Sequence, residues 1–207
     1  LPTPPQIYPS NGATDIPLIP EFVVLTVNGA DTYGIQISTD PTFSSITANF
    51  YQRFASKTNA NDTVYLAASI RSSDSYTGNT TYYWRTRAYL FDGTVASSWS
   101  SPYSYMTKPQ GPPISAPNPL LPSYGSTLSW INVPLVWEPV RNATHYQIQY
   151  STDATFNGFT YWWTPGNQTS LYVALKPNQT YYWRVVSYND SSISQFSATH
   201  RFYTDNK

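Results

Sequence analysis

The chain has 207 residues, enough for one large domain or two small ones. Its eleven basic and eleven acidic residues cancel, so the charge balance does not favour nucleic acid or anionic lipid as a partner. Cysteine is absent, which excludes disulfide bonds and thiolate sites, and no apolar run reaches the roughly 18 residues of a membrane-spanning helix. The aromatic content of 17% and the low charged content of 11% are typical of an all-β protein.

The first nine residues, LPTPPQIYP, form an apolar arm without a charged side chain. Chain termini that contact nothing are usually polar and frayed, so we expect another surface to cover this arm. Pro2, Pro4 and Pro5 have no N–H group, so strand pairing would concentrate in residues 6–10.

An internal repeat organises the rest of the chain. IYPSNGAT (residues 7–14) aligns with LLPSYGST at an offset of 113 residues, and the same offset aligns YGIQISTDPTF with YQIQYSTDATF. Further along, NTTYYWR matches NQTYYWR at an offset of 99, so the first copy is longer by 14 residues between the two blocks. The repeat predicts two domains, 10–108 and 119–207. The Pro-rich segment 109–118 between them is predicted to be a semi-rigid linker.

Both copies consist of short runs with a period of two and show no helical period. In the second copy Tyr146, Ile148 and Tyr150 share one face of a run, and Tyr181 and Trp183 share one face of another. Turn-forming segments such as STD, TPGN and KPN separate the runs. Roughly seven strands per copy predict an all-β chain of two tandem β-sandwiches with an extended N-terminal arm.

The second copy resembles a fibronectin type III module in PLVWEPV (134–140) and LKPNQTYYWRV (175–185). The resemblance implies an Ig-like sandwich in which Trp137 is the core tryptophan and Tyr181 is the corner tyrosine that bonds to the chain upstream. The first copy departs from this pattern, because Val24 stands at the tryptophan position and YTGN replaces the Leu-x-Pro corner. Such modules seldom catalyse, so the resemblance implies spacing, binding or assembly.

No catalytic or metal-binding constellation is evident in the sequence. His145 and His200 are the two histidines, too few for a zinc site without cysteine. Asp40 and Asp153 end the two STD segments, and we interpret them as caps of the turns that follow. We therefore predict no enzymatic activity, no metal and no cofactor.

Three consecutive aromatic residues, Tyr161, Trp162 and Trp163, lie in one predicted strand of the second copy. Neighbouring residues of a strand point to opposite faces, so at least one tryptophan should face away from the core of its own domain. An exposed tryptophan favours a partner surface, and stacking on a saccharide is an alternative. A third possibility is packing under the linker or against the other domain.

Asn-x-Ser/Thr sequons lie in or beside predicted turns, which suit bulky glycans. Asn79 and Asn178 occupy the same corner of the two copies, and we expect an Asn178→Gln substitution to leave the fold intact. The predicted glycosylation sites are Asn61, Asn79, Asn142, Asn167, Asn178 and Asn189.

In its architecture, low charge and sequons, the whole chain resembles the subunits of archaeal threads, which are glycosylated surface filaments of thermoacidophiles. This resemblance implies an extracellular homopolymer, exported with a signal peptide that has been removed, that serves adhesion or biofilm formation. Its subunits would join head to tail by donor-strand complementation, in which the arm adds a strand to a neighbouring subunit. We expect the second domain of the neighbour to accept it, and the candidate arm residues are Leu1, Thr3, Pro5, Ile7 and Tyr8.

The alternative is a spacer or glycan-binding tandem that belongs to a larger secreted enzyme or adhesin. In that case the arm is a linker, and IYPS (residues 7–10) is the first strand of the first domain. The repeat favours this alternative in one respect, because both copies contain an equivalent of that strand.

Overall fold

The computed structural model describes residues 1–54, 61–67, 76–90, 92–95, 97–129 and 132–206. The chain divides into two compact units, Leu1–Gln110 and Gly111–Lys207. The strands of the first unit are β1 (Gln6–Tyr8), β2 (Ala13–Ile16), β3 (Glu21–Leu25), β4 (Thr32–Ser38), β5 (Ala48–Arg53), β6 (Thr63–Ala67), β7 (Thr81–Tyr89) and β8 (Tyr103–Thr107). The strands of the second unit are β9 (Pro119–Leu121), β10 (Thr127–Ser129), β11 (Val133–Trp137), β12 (His145–Ser151), β13 (Thr160–Pro165), β14 (Ser170–Val173), β15 (Gln179–Asn189), β16 (Ser192–Ile193) and β17 (His200–Asp205).

The first unit contains two sheets, with strand orders β1-β3-β6 and β2-β8-β7-β4-β5. Neighbouring strands are antiparallel except β2 and β8, which run parallel. Phe22 of β3 contacts Trp84 of β7 at a ring-centroid distance of 4.9 Å, and both side chains are fully buried. The core therefore lies between the two sheets.

The second unit repeats this arrangement, with orders β14-β11-β9 and β10-β17-β15-β12-β13, and it adds β16 beside β15. Its core contains Trp137 of β11 and Tyr146 of β12, whose rings meet edge to face at 5.4 Å. The shared strand order confirms the predicted fold class of two tandem β-sandwiches.

Complementary changes in side-chain size explain how the first unit folds without the core tryptophan. The 113-residue offset places Val24 opposite Trp137 and Phe22 opposite Leu135, and all four side chains are buried. In the first unit the larger side chain of this pair is Phe22 and the smaller is Val24. In the second unit the pair is the medium-sized Leu135 and the large Trp137. Cores tolerate such exchanges when the total volume is conserved.

Both units also contain the tyrosine corner, although only the second has its Leu-x-Pro sequence. The hydroxyl of Tyr181 accepts a hydrogen bond from the backbone N–H of Lys176 at 3.0 Å. In the first unit, Tyr82 accepts one from the N–H of Thr77 at 2.9 Å. The bond spans five residues in both units, so backbone geometry preserves the corner where the sequence motif is absent.

The segment predicted as a linker, 109–118, contains no strand. At its start, Gln110 accepts a hydrogen bond from Gly78 of the first unit. Further along, Gly111 donates to Ser191, and Pro112 accepts from Ser192, both in the second unit. Each part of the segment is thus bonded to its own unit.

Candidate interaction surfaces

The N-terminal arm lies along the first unit of its own chain. β1 pairs antiparallel with β3, and the N–H of Leu25 donates to the carbonyl of Pro5 at 2.9 Å. The indole Nε1 of Trp84 donates to the carbonyl of Pro9 at 3.2 Å, and Gln6 donates to the carbonyl of Trp84 at 3.0 Å. Residues 5–9 are therefore held by the backbone of β3 and by one core tryptophan.

The candidate interface residues of the arm have mostly exposed side chains. The exposed fractions are 51% for Leu1, 46% for Ile7 and 37% for Tyr8, while Pro5 is exposed and Thr3 is half-buried. The counterparts of Ile7 and Tyr8 in β9 are Leu120 and Leu121, whose exposed fractions are 43% and 46%. Apolar exposure on this strand is thus common to both units rather than special to the arm.

The aromatic strand β13 is an edge strand, paired with β12 in the described part of the chain. Trp162 lies opposite Ile148 and therefore on the core side of the sheet, yet it is 52% exposed. Trp163 lies opposite Gln147 on the outer side and is half-buried, because its ring packs edge to face on Tyr188 at 4.9 Å. Trp163 therefore faces away from the core, but Trp162, on the core side, is the more exposed of the two.

An open cleft of about 670 Å³ lies beside the start of β13 in the second unit. It combines the rings of Tyr150 and Phe159 with the side chains of Thr160, Lys176 and Gln179. Aromatic faces beside polar groups suit a saccharide. The cleft includes none of the three aromatic residues that the sequence pointed to.

The predicted glycosylation sites differ in conformation and in access. Left-handed backbone is found at Asn61, Asn79, Asn142 and Asn178, with φ between 52° and 67°, and these residues are exposed. Asparagine is one of the few residues that adopt this conformation readily. A glutamine at position 178 would be strained by about 1–2 kcal/mol, so we add a loss of stability of this size to the prediction that Asn178→Gln leaves the fold intact.

The two remaining sequons are not equivalent. Asn167 is exposed in a turn. Asn189 is half-buried, and its Nδ2 donates to the carbonyl of Asn142 at 3.2 Å while its Oδ1 accepts from the N–H of Ser191 at 3.0 Å. Because both ends of its amide are engaged, Asn189 is the least accessible of the six sites.

The aspartates of the two STD segments cap turns, as the sequence predicts. The carboxylate of Asp40 accepts hydrogen bonds from the N–H groups of Thr42 and Ser44 at 2.9 and 2.8 Å. The hydroxyl of Ser44 and the N–H of Thr42 hold the pKa of Asp40 well below its ordinary value. The pKa of Asp153 is lowered in the same way, first by the N–H of Thr155.

Among the described residues, no group of three or more His, Asp or Glu side chains is placed to hold a metal ion. In the same part of the chain, no helix is long and apolar enough to cross a membrane.

No family model and no curated protein matches the chain. Among solved structures, the FN1–FN3 domains of chicken CNTN1 are 16% identical with a TM-score of 0.39, and the match covers 98% of this chain and 66% of that one. A segment of two fibronectin type III domains from chicken tenascin is 14% identical with a TM-score of 0.36, and the match covers 98% of this chain and 99% of that one. At these scores the assignment of two β-sandwiches rests on the strand order of the chain itself.

Proposed function

We propose that the chain is a structural subunit of an extracellular surface filament, whose subunits join head to tail by exchange of the N-terminal strand. The observation that carries the proposal is β1 itself, a three-residue edge strand that pairs with β3 alone in the described part of the chain and exposes two large apolar side chains. Exchange of an identical element between subunits is a low-cost route to assembly.

Strand exchange supplies the arm with an acceptor of the same shape as the one it leaves. If β1 departs, Leu25 loses its bond to Pro5 and Trp84 loses its bond to Pro9. The β1 of a neighbouring subunit can form the same bonds, so the exchange itself is close to neutral. Ile7 and Tyr8 are already more than half covered, so their complete burial against a neighbour would favour the polymer by roughly 1 kcal/mol each, about half of the value for a fully exposed side chain.

This mechanism changes the acceptor that the sequence led us to expect. In the second unit, β9 already lies beside β11, in the place that corresponds to β1 beside β3. The place that a departing arm leaves is therefore beside β3 in the first unit. Because each subunit gives its arm to the next, the contact need not close and produces an open filament.

Exposed sequon asparagines support an extracellular location for the filament. We include N-linked glycans at the five exposed sites in the proposal, so native material should exceed the polypeptide mass of 23.3 kDa by several sugar chains. The site at Asn79 can be removed without backbone strain by Thr81→Ala, because Thr81 is exposed and Asn79 keeps its left-handed turn. A native mass equal to that of the bare polypeptide would exclude this part of the proposal.

A cysteine pair can test strand exchange directly, because the chain has no cysteine of its own. Tyr8 and Val23 are register partners, and the repeat offset makes Leu121 and Val136 the matched pair, also register partners, in the second unit. In filaments assembled under reducing conditions and then oxidised, Tyr8→Cys with Val23→Cys should give a ladder of covalent multimers on a non-reducing gel. Leu121→Cys with Val136→Cys should give monomers.

Three other outcomes would change the proposal. A ladder from Tyr8→Cys combined with Val136→Cys, without one from the Tyr8/Val23 pair, would assign the acceptor to the second domain. If the Tyr8→Cys/Val23→Cys variant forms filaments by electron microscopy but runs as a monomer on the non-reducing gel after oxidation, exchange at β3 is excluded. A chain that stays monomeric under every condition would favour the spacer alternative.

A further inference from the structure

A row of alternating cations and aromatic rings crosses the outer face of the larger sheet in the first unit. The guanidinium of Arg85 lies 4.1 Å from the ring centre of Phe43 and 4.8 Å from that of Trp99. The guanidinium of Arg87 lies 4.3 Å from Trp99 and 4.9 Å from Tyr89. Each cation is thus held between two rings, an arrangement that fixes its orientation.

The far end of this row is open to solvent. Tyr51, on the edge strand β5, meets Tyr89 edge to face at 5.3 Å and is 47% exposed. Both rings pass over Gly34, where a Cβ atom would lie only 2.8 Å from Tyr89 and 2.9 Å from Tyr51. We call the six side chains the cation–aromatic row: Phe43, Arg85, Trp99, Arg87, Tyr89 and Tyr51.

Part of the row belongs to the fold, because the second unit repeats it. Arg85 donates two hydrogen bonds to Gln36, at 3.0 and 2.7 Å. Arg184 donates to Gln149 at 2.9 Å and lies 4.0 Å from the ring centres of Phe156 and Phe196. An arginine between two rings with a glutamine partner is therefore common to both sandwiches.

The other part of the row is specific to the first unit. The repeat offsets place Val186 opposite Arg87 and Gln147 opposite Gly34, and both counterparts are fully buried. The second sandwich thus folds with a valine at this position, so the fold does not require the second arginine.

The two guanidinium groups form a pair of neighbouring positive charges. They occupy alternate positions of β7, so their Cα atoms are about 7 Å apart. Within the described residues neither is hydrogen-bonded to a carboxylate, and Arg87 donates from Nε to the hydroxyl of Tyr89 at 2.6 Å. Burial and the like charge of Arg87 lower the pKa of Arg85. An anion placed across both groups would relieve this repulsion.

We propose that the cation–aromatic row binds an acidic polysaccharide, with sulfate or carboxylate groups on Arg85 and Arg87 and a sugar ring stacked on Tyr51. The fixed guanidinium groups suit planar or tetrahedral anions, and an exposed tyrosine ring suits the apolar face of a sugar. Two cations on a chain of zero net charge do not provide the broad basic surface that nucleic acid requires.

The test uses dextran sulfate and uncharged dextran as probes, titrated by calorimetry against the full chain at low and at physiological salt. The wild type should bind dextran sulfate and not dextran. Arg87→Val, which copies the second unit, should weaken binding about ten- to a hundredfold, because it removes charge-assisted hydrogen bonds. Arg141→Gln is the charge-matched control, an exposed turn residue of the second unit, and should bind within twofold of the wild type.

Two more variants keep the test decisive. If Arg87→Val does not fold, Arg87→Lys takes its place, because it keeps the charge but removes the planar guanidinium, and it should still weaken binding at least about fivefold. Tyr51→Ala should weaken dextran sulfate binding more than the binding of inorganic sulfate, since a bare anion does not stack.

Equal losses for Arg87→Val and Arg141→Gln would overturn the proposal, because binding would then depend on net charge alone. A change in the urea midpoint of Arg87→Val with no change in binding would overturn it in favour of a purely structural row. Retention on phosphatidylglycerol vesicles but not on dextran sulfate would assign the surface to a membrane instead. None of these outcomes depends on whether the chain forms filaments.

Discussion

The contribution to stability of the hydrogen bond between Trp84 and the N-terminal arm can be measured against a control within the same chain. Trp84 and Trp183 are equivalent in the two units and both are fully buried. Trp84 donates to the carbonyl of Pro9 at 3.2 Å, whereas the Nε1 of Trp183 has no hydrogen-bond partner among the described residues. A Trp→Phe substitution removes similar volume at both sites but removes a hydrogen bond only at Trp84.

We therefore expect Trp84→Phe to lower the free energy of unfolding by about 1 kcal/mol more than Trp183→Phe does, the usual net value of one hydrogen bond. The assay is urea denaturation of the full chain, followed by near-ultraviolet circular dichroism and analysed as two transitions, one for each unit. Because Trp84 secures the arm, its substitution should also accelerate hydrogen exchange at the amide of Leu25, which donates to Pro5.

The equivalent amide in the second unit is that of Glu138, which donates to Asn118 at 2.9 Å. Its exchange should be unchanged in Trp183→Phe. Equal losses of stability for the two variants, or an unchanged exchange rate at Leu25 in Trp84→Phe, would show that the indole N–H does not hold the arm.

Outcomes for five further variants follow from burial and hydrogen bonding. Trp183→Ala should cost about 3–5 kcal/mol in urea denaturation, because it empties a fully buried site. Trp162→Ala should change stability by less than about 0.5 kcal/mol, whereas Trp163→Ala should cost about 1.5 kcal/mol or more through loss of its aromatic contact. Tyr82→Phe should lower the stability of the first unit by about 1 kcal/mol, since the corner bond is lost. The pKa of Asp40 is lower in the folded than in the unfolded chain. The ionised carboxylate therefore contributes fully to folding stability above the ordinary carboxyl pKa of about 4, and this contribution is lost as the pH falls further. Asp40→Asn should reduce the loss of stability measured between pH 4 and pH 2.

The repeat made the fold predictable from sequence. Period-two alternation assigned Tyr146 and Ile148 to the same face, and both are fully buried. The sequence pattern did not reveal that the first unit also contains a tyrosine corner, because that corner depends on the backbone around Thr77 rather than on a Leu-x-Pro motif. Nor did it reveal the exchange of side-chain volume between Phe22 and Val24, which requires knowledge of which residues meet across the core.

The surfaces were harder to predict, because exposure depends on where a strand lies in its sheet. Alternation gives the two tryptophans of β13 opposite faces, but the edge position exposes Trp162 on the core side, while Tyr188 of another strand covers Trp163. The row around Arg87 depends in the same way on Trp99, which precedes β8 and lies over β7. A signal for it was nevertheless present in the sequence, since YYWRTR in the first copy stands where the second has YYWRVV. Positions at which the two copies agree describe the sandwich they share, so properties specific to one unit are to be sought where the copies differ.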